Sequence, residues 1–217
     1  MKQYAVLGLG RFGLKVAKTL SEKGCEVLAV DTEKEKIDAV RDFVSHAIQI
    51  TSNSEEVYKA IGLDKVDVAI VGVGASNVEA SILVTALLRK VGVKEIVARA
   101  VSELHGEILR LVGATKVVYP EDEMGYRLAA SLVLPRLIDH IELKEGYGLA
   151  QVKCPKGMVR KKLKDINLRS KYNVNVLVVK KADSTVDIPG PDFIFSEGDQ
   201  VILVGKDEDL EKLSEEE

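Results

Sequence analysis

Ten residues near the N-terminus narrow the fold more than anything else in the chain. Tyr4-Ala5-Val6-Leu7 is an apolar, strand-like run that meets Gly8-Leu9-Gly10-Arg11-Phe12-Gly13 without a gap, and a helical pattern follows. A second apolar run, Val27-Leu28-Ala29-Val30, ends on Asp31, about 18 residues after Gly13. Each glycine has its own reason. Gly8 allows the tight turn out of the strand, Gly10 lets the backbone approach phosphate oxygens, and Gly13 lets the helix pack close to the strand. The free N–H groups and positive dipole end of that helix then face an anion. Asp31 is placed to accept hydrogen bonds from ribose hydroxyls. The spacing reads as the opening of a dinucleotide- or adenine-nucleotide-binding fold. The competing reading is that the glycines serve tight packing alone.

The strand–helix rhythm continues. Residues 33–43 read as a helix, 47–50 as a short strand, and 54–61 as a helix with Ser54 at its N-cap. Residues 66–71 are almost continuously apolar, as a parallel strand covered on both faces requires. They end on Gly72-Val73-Gly74, and Ser76-Asn77 opens a helix to Lys90, so this unit echoes the first. Residues 95–99 are a fifth strand, 102–111 a helix and 116–119 a sixth strand. Two such halves make a Rossmann-type, doubly wound parallel sheet of the α/β class, with its ligand crevice where the halves meet.

After Pro120-Glu121-Asp122-Glu123-Met124-Gly125, residues 126–140 read as one long apolar helix carrying Leu128, Leu132, Leu137 and Ile138. Apolar on several faces, it needs more burial than a sheet edge offers. Core packing can supply that, and a dimer contact is the favoured reading. Pro135 marks a kink or break. From residue 141 the character changes: short strands at 149–152, 176–179 and 201–204, helices at 163–172 and 207–213, and turns at Pro189-Gly190-Pro191 and Ser196-Glu197-Gly198-Asp199. The expected organisation is residues 1–140 as a Rossmann domain with a crossover helix, and 141–217 as a small α+β domain.

Composition excludes some partners. A net charge of -3 over 217 residues gives no broad basic surface for nucleic acid. No apolar run approaches the roughly 20 residues of a membrane helix, and the chain enters its first strand directly, so no signal peptide is expected. Cys25 and Cys154 are the only cysteines, expected as unpaired buried thiols. His46, His105 and His140 are scattered without metal-ligand spacing, and no nucleophile motif occurs. The reading is a nucleotide-sensing regulatory protein and not a catalyst; the alternatives are an NAD-dependent oxidoreductase and a stand-alone NADH-sensing regulator.

Several polar residues fall at strand ends on the crevice side. Arg11, after the second glycine, suits a β- or γ-phosphate; otherwise it is a surface Arg paired with an acid. Arg99 ends the fifth strand on the same rim, for the same phosphates or for a strand-end salt bridge. Glu121 follows the sixth strand, to complete a Mg2+ or Ca2+ shell or as part of a solvated acidic turn. Asn77 caps its helix or bonds a ligand. Thr51, Ser52 and Asn53 follow strand three, where polar groups meet adenine or ribose.

In this order, Gly-Leu-Gly-Arg-Phe-Gly, Val-Asp-Thr, Gly-Val-Gly-Ala-Ser-Asn, Tyr-Pro-Glu-Asp-Glu-Met-Gly and the small C-terminal module resemble the regulatory subunits of Ktr/Trk-type bacterial potassium uptake systems. Their domains are called RCK, for regulator of K+ conductance. The resemblance implies an N-lobe, a crossover helix and a C-lobe. It implies a cytoplasmic homodimer assembling into a ring, an octamer, at the inner face of the membrane. That ring gates an integral membrane potassium-translocating subunit. It implies ATP, ADP or NAD(H) at Gly8, Gly10, Arg11, Phe12, Gly13, Asp31, Thr32, Thr51, Ser52, Asn53, Gly72, Val73, Gly74, Asn77 and Arg99. Arg11 would sense the γ-phosphate and Glu121 would hold Mg2+ or Ca2+. Cyclic di-AMP is implied for the C-lobe, where Arg169 and Asn175 lie in the matching segment. Thr51-Ser52-Asn53 departs from the Gly-Asp-Ala/Thr common at that place.

Overall fold

A computed structural model of the chain describes residues 2–73, 77–133, 137–144 and 146–215. They form two compact units, Met1–Glu121 and Asp122–Glu217.

The first unit is a parallel sheet built from β1 (Gln3–Leu7), β2 (Glu26–Asp31), β3 (His46–Gln49), β4 (Val68–Val71), β5 (Glu95–Arg99) and β6 (Lys116–Val118), in the order β3-β2-β1-β4-β5-β6. The order reverses between β1 and β4, which places the switch point of the two halves there. Alternating side chains of β1 enter two cores. Ala5 and Leu7 join Val71, Leu88, Ile96 and Leu109 on one face, while Val6 joins Ala17, Ile37 and Val40 on the other. The helices α1 (Arg11–Glu22), α2 (Lys34–Asp38), α3 (Glu55–Ala60), α4 (Val78–Lys90) and α5 (Glu103–Leu111) return the chain between strands. Residues 33–43, expected as one helix, divide into α2 and a 3-10 turn at Arg41–Phe43.

The helix after β6 differs from the expectation. It begins at Pro120, so the acidic segment forms its first turns, and as α6 it spans Pro120–Val133. Pro is well suited to a first helical position because its missing N–H has no partner to lose. From Leu137 the chain is extended: β7 (Leu137–Lys144) pairs antiparallel with β8 (Tyr147–Lys153). The alternation Ile141-Glu142-Leu143-Lys144 is a strand period, which the apolar run before it masked. Pro135 and the kink assigned to it lie outside the described residues.

The second unit contains α6 from Asp122 onward and a five-stranded sheet, β10-β9-β11-β8-β7, completed by β9 (Asn175–Lys180), β10 (Val186–Asp187) and β11 (Gln200–Lys206). Phe195, Val152, Val179, Val201, Leu203 and Leu213 fill its core. The expected helix at 163–172 is two short ones, α7 (Leu163–Ile166) and α8 (Leu168–Tyr172), because Asn167 between them is left-handed at φ 53°. The last helix, α9, is Asp207–Glu215. Cys154 is buried and Cys25 half-buried. Among the described residues no helix is long and apolar enough to cross a membrane.

Candidate functional site

The carboxyl ends of β1, β2 and β4 surround a cavity of about 570 Å3. Its floor is the glycine loop, and the ladder fixes that loop: Gly8 donates to the Val30 carbonyl at 2.9 Å, and Gly72 donates to the Leu7 carbonyl at 2.8 Å. Gly8 is left-handed, at φ +89°, and a Cβ there would run into Val73. A Cβ on Gly13 would overlap the Gly8 carbonyl oxygen. Gly10 is the opposite case, with open space where its Cβ would stand. Two glycines are thus demanded by backbone packing and one faces an empty approach.

Gly10 is also the N-cap of α1, with no side-chain cap and no acid in the first turn. The first intrahelical bond runs from Leu14 to the Gly10 carbonyl, so the N–H groups of Arg11, Phe12 and Gly13 have no partner among the described residues. Three other crossover helices, α3, α4 and α5, are finished differently. Ser54 accepts from Val57, Asn77 from Ala80 and Ser102 from His105, and each of these helices has Glu in its first turn. The donors left open at α1 leave its N-terminus chemically suited to an anion.

Two cations border that end. Arg11 is exposed on the cavity wall and has no ion pair among the described residues. Arg99, with 11% of its side chain exposed, is paired. Its Nη2 donates to Glu121 Oε1 and its Nε to Glu121 Oε2 at 3.4 Å, while its Cζ lies 5.9 Å from the centre of the Phe12 ring. The strand-end salt bridge allowed for Arg99 is therefore present, and its partner is the residue expected to hold a metal. No group of three or more His, Cys, Asp or Glu side chains suited to a metal occurs among the described residues.

Asp31 is buried, 7% exposed, and is already engaged. Its Oδ2 accepts from the Leu9 N–H at 2.6 Å and its Oδ1 from the Glu33 N–H at 3.0 Å. A carboxylate has about four lone-pair sites, so room remains for a ribose hydroxyl. Lys36 lies 3.9 Å from Asp31 and 2.7 Å from Glu33. Its bond to the Glu33 carboxylate, with Asp31 adding to it, holds the ammonium above its usual range.

Twelve of the residues singled out in the sequence line the cavity: Gly8, Gly10, Arg11, Phe12, Asp31, Thr32, Asn53, Gly72, Val73, Asn77, Arg99 and Glu121. Gly13 lies behind it, in packing contact with Gly8. Thr51 and Ser52 do not line it. β3 stops at Gln49, buried Ile50 faces the cavity, and the next two residues bend into solvent. Asn53 returns to the wall with its Oδ1 bonded by the Tyr58 hydroxyl at 2.9 Å. Gly74 lies outside the described residues. Sequence reasoning missed Leu7, Val30, Glu33, Lys36, Ile50, Ala80 and Val84. The apolar ones are strand ends or the first turns of a helix, legible only as core until the sheet order is known. In the second unit, Arg169 is exposed on α8 and Asn175 opens β9.

The TrkA-N domain family model matches residues 4–120 and the TrkA-C domain model residues 149–216. The chain is 34% identical over 211 residues to the Ktr system potassium uptake protein C of Bacillus subtilis (strain 168), covering 97% of this chain and 95% of the relative. It is 32% identical over 215 residues to the Ktr system potassium uptake protein A of the same organism, covering 99% and 96%. Among solved structures, the TrkA-N domain of the inner membrane protein ybaL from Escherichia coli superposes with a TM-score of 0.54 at 21% identity, over 60% of this chain and 96% of that one. That last likeness speaks to the fold of the first unit.

Proposed function

Because the chain belongs to the TrkA-N family and to the family of the Ktr system potassium uptake proteins, we propose that it is a nucleotide-sensing regulatory subunit of a potassium uptake system and not a catalyst. The uncapped start of α1, on the cavity that Gly10, Arg11 and Arg99 also line, carries the nucleotide part of this reading. ATP or ADP is the favoured ligand, with NAD(H) as the alternative. The phosphates lie on the α1 amides, Asp31 takes the ribose, and Val30, Ile50 and Asn53 flank the base. Arg11, free of any described carboxylate, reads the γ-phosphate. Glu121 joins the phosphates around Mg2+ or Ca2+.

ATP and ADP must bind two shapes of the assembly with different affinities, because a ligand of equal affinity for both shifts nothing. The assembly is a homodimer through α6, whose Met124, Leu128 and Leu132 are exposed in the single chain, and dimers close into a ring of eight. The ring lies against the inner face of the membrane and gates the potassium-translocating subunit. Residues 1–140 are the sensing half and 141–217 the regulatory half, with cyclic di-AMP at Arg169 and Asn175.

Calorimetric titration of ATP, ADP, NADH and NADPH into the wild type and Arg11→Ala tests the ligand. A hydrogen bond between charged groups contributes about 1.5–3 kcal/mol, so Arg11→Ala should cut the ATP-to-ADP preference by roughly tenfold or more. Equal losses for both would move the γ-phosphate switch to another residue. Binding of none of the four would end the nucleotide reading. Growth of a potassium-uptake-deficient bacterium on low potassium, with the membrane subunit expressed with or without this chain, tests the transport part.

A further inference from the structure

Arg99 is the most buried of the cations on the cavity wall, and it is already committed: its fork closes on Glu121, in the first turn of α6. Its Cζ also lies 5.9 Å from the ring of Phe12, the second residue of α1. Arg99 therefore shares one cavity wall with two groups that suit it: the Glu121 carboxylate it holds, and the start of α1, where an anion would sit. A guanidinium has one planar fork and cannot present it bidentately in both directions. We propose that Arg99 exchanges partners, holding Glu121 while no phosphate is bound and turning to a polyphosphate when one arrives, so that binding releases the first turn of α6 from the end of β5. The proposal rests on the nucleotide reading of this cavity.

The surroundings make the exchange possible in both directions. The Glu121 side chain is 63% exposed, so water solvates the carboxylate once Arg99 leaves. It also sits at a helix N-terminus, where the dipole favours a negative charge without help from Arg99. Arg99 is much less exposed, and a cation so placed without a partner is unfavourable, so one anion or the other always holds it. Glu121 then acts as a competitor built into the site. In the absence of a divalent metal, removing its charge should tighten polyphosphate binding, the reverse of what a direct ligand contact would do.

A double-mutant cycle with ATP as the probe, in buffer containing EDTA, tests this by calorimetry on the full chain. Glu121→Gln should tighten ATP by roughly fivefold, the upper range for one exposed ion pair. In an Arg99→Gln background the same change should give no gain. Should Arg99→Gln fail to fold, Arg99→Lys keeps the charge and loses the fork, and the gain should shrink there. A gain of equal size in both backgrounds would mean that Glu121 acts by simple repulsion, and the exchange would be wrong. Weaker or unchanged ATP binding by Glu121→Gln would also overturn it. If the wild type binds no nucleotide, the nucleotide reading itself fails, which is a different result from a wild type that binds and a Glu121→Gln that does not gain.

Discussion

The Asp31 carboxylate accepts the Leu9 N–H at 2.6 Å, so the acid that ends β2 also anchors the loop that follows β1. Asp31→Ala should therefore destabilise the ligand-free protein by about 1.5–3 kcal/mol, the scale of a hydrogen bond to a charged group. It should also weaken every adenine nucleotide, and the wild type should prefer NADH to NADPH because a carboxylate repels a 2′-phosphate. Urea unfolding without ligand measures the first effect and calorimetry the second. An Asp31→Ala protein as stable as the wild type would show that the anchor carries no weight.

The glycines of the loop should separate fold from binding. Gly13→Ala puts a methyl group against the Gly8 carbonyl and should destabilise by about 1–3 kcal/mol, as overpacking does. Gly10→Ala meets nothing, at an ordinary φ of -63°. Its stability should stay within roughly 0.5 kcal/mol of wild type, while nucleotide affinity falls because the methyl group occupies the approach. Thermal melts and titrations of the two variants should give opposite patterns.

His105 predicts a pH dependence. It is 3% exposed. The Val101 N–H donates to its Nδ1 at 3.3 Å, which leaves Nε2 as the N–H donor to Ser81 Oγ at 2.8 Å. Burial lowers its pKa from 6.5. The unfolded chain therefore binds the proton more readily than the folded one, and stability falls as pH falls from about 6.5 toward the lower folded value. Above 6.5 the contribution is complete. Melting temperatures from pH 7.5 to 5.5 should fall more steeply for the wild type than for His105→Asn. Parallel slopes would mean that His105 does not titrate across this range.

Leu128 and Leu132 are 59% and 75% exposed, so a charge at either position meets water in a single chain. Leu128→Asp and Leu132→Asp should leave monomer stability within roughly 0.5 kcal/mol of wild type and still break the assembly by burying an unpaired charge in the dimer contact. Light scattering at micromolar concentration decides it. A wild type that is already monomeric contradicts the dimer.

The parts of the fold legible in the sequence are those fixed by local chemistry. The three glycines, the all-apolar run of β4, and the caps Ser54 and Asn77 each follow from a backbone requirement that a few residue types can meet. What stayed hidden depends on neighbours distant in sequence. Between the end of α6 at Val133 and the start of β7 at Leu137, Pro135 signals a break, but the apolar residues on either side suit a helix and a strand alike. Asn167 divides a helix by a left-handed turn that Asn tolerates but does not announce. The sequence points Arg99 and Glu121 each toward a ligand, phosphate for one and metal for the other. That they bind each other follows from the pairing of Arg99 with Val118 across β5 and β6, which brings the end of one strand beside the start of α6.

The open start of α1 also bears on the life of the protein in a cell. A phosphate seated on those amides supplies the cap that the chain lacks, and a ligand at a hundredfold its Kd adds about 2.7 kcal/mol to folding stability. For a domain of ordinary stability that is a large share of the whole. Subunits without nucleotide would then be the ones that open most often and reach the proteases first, and the abundance of the regulator would follow the supply of its own signal.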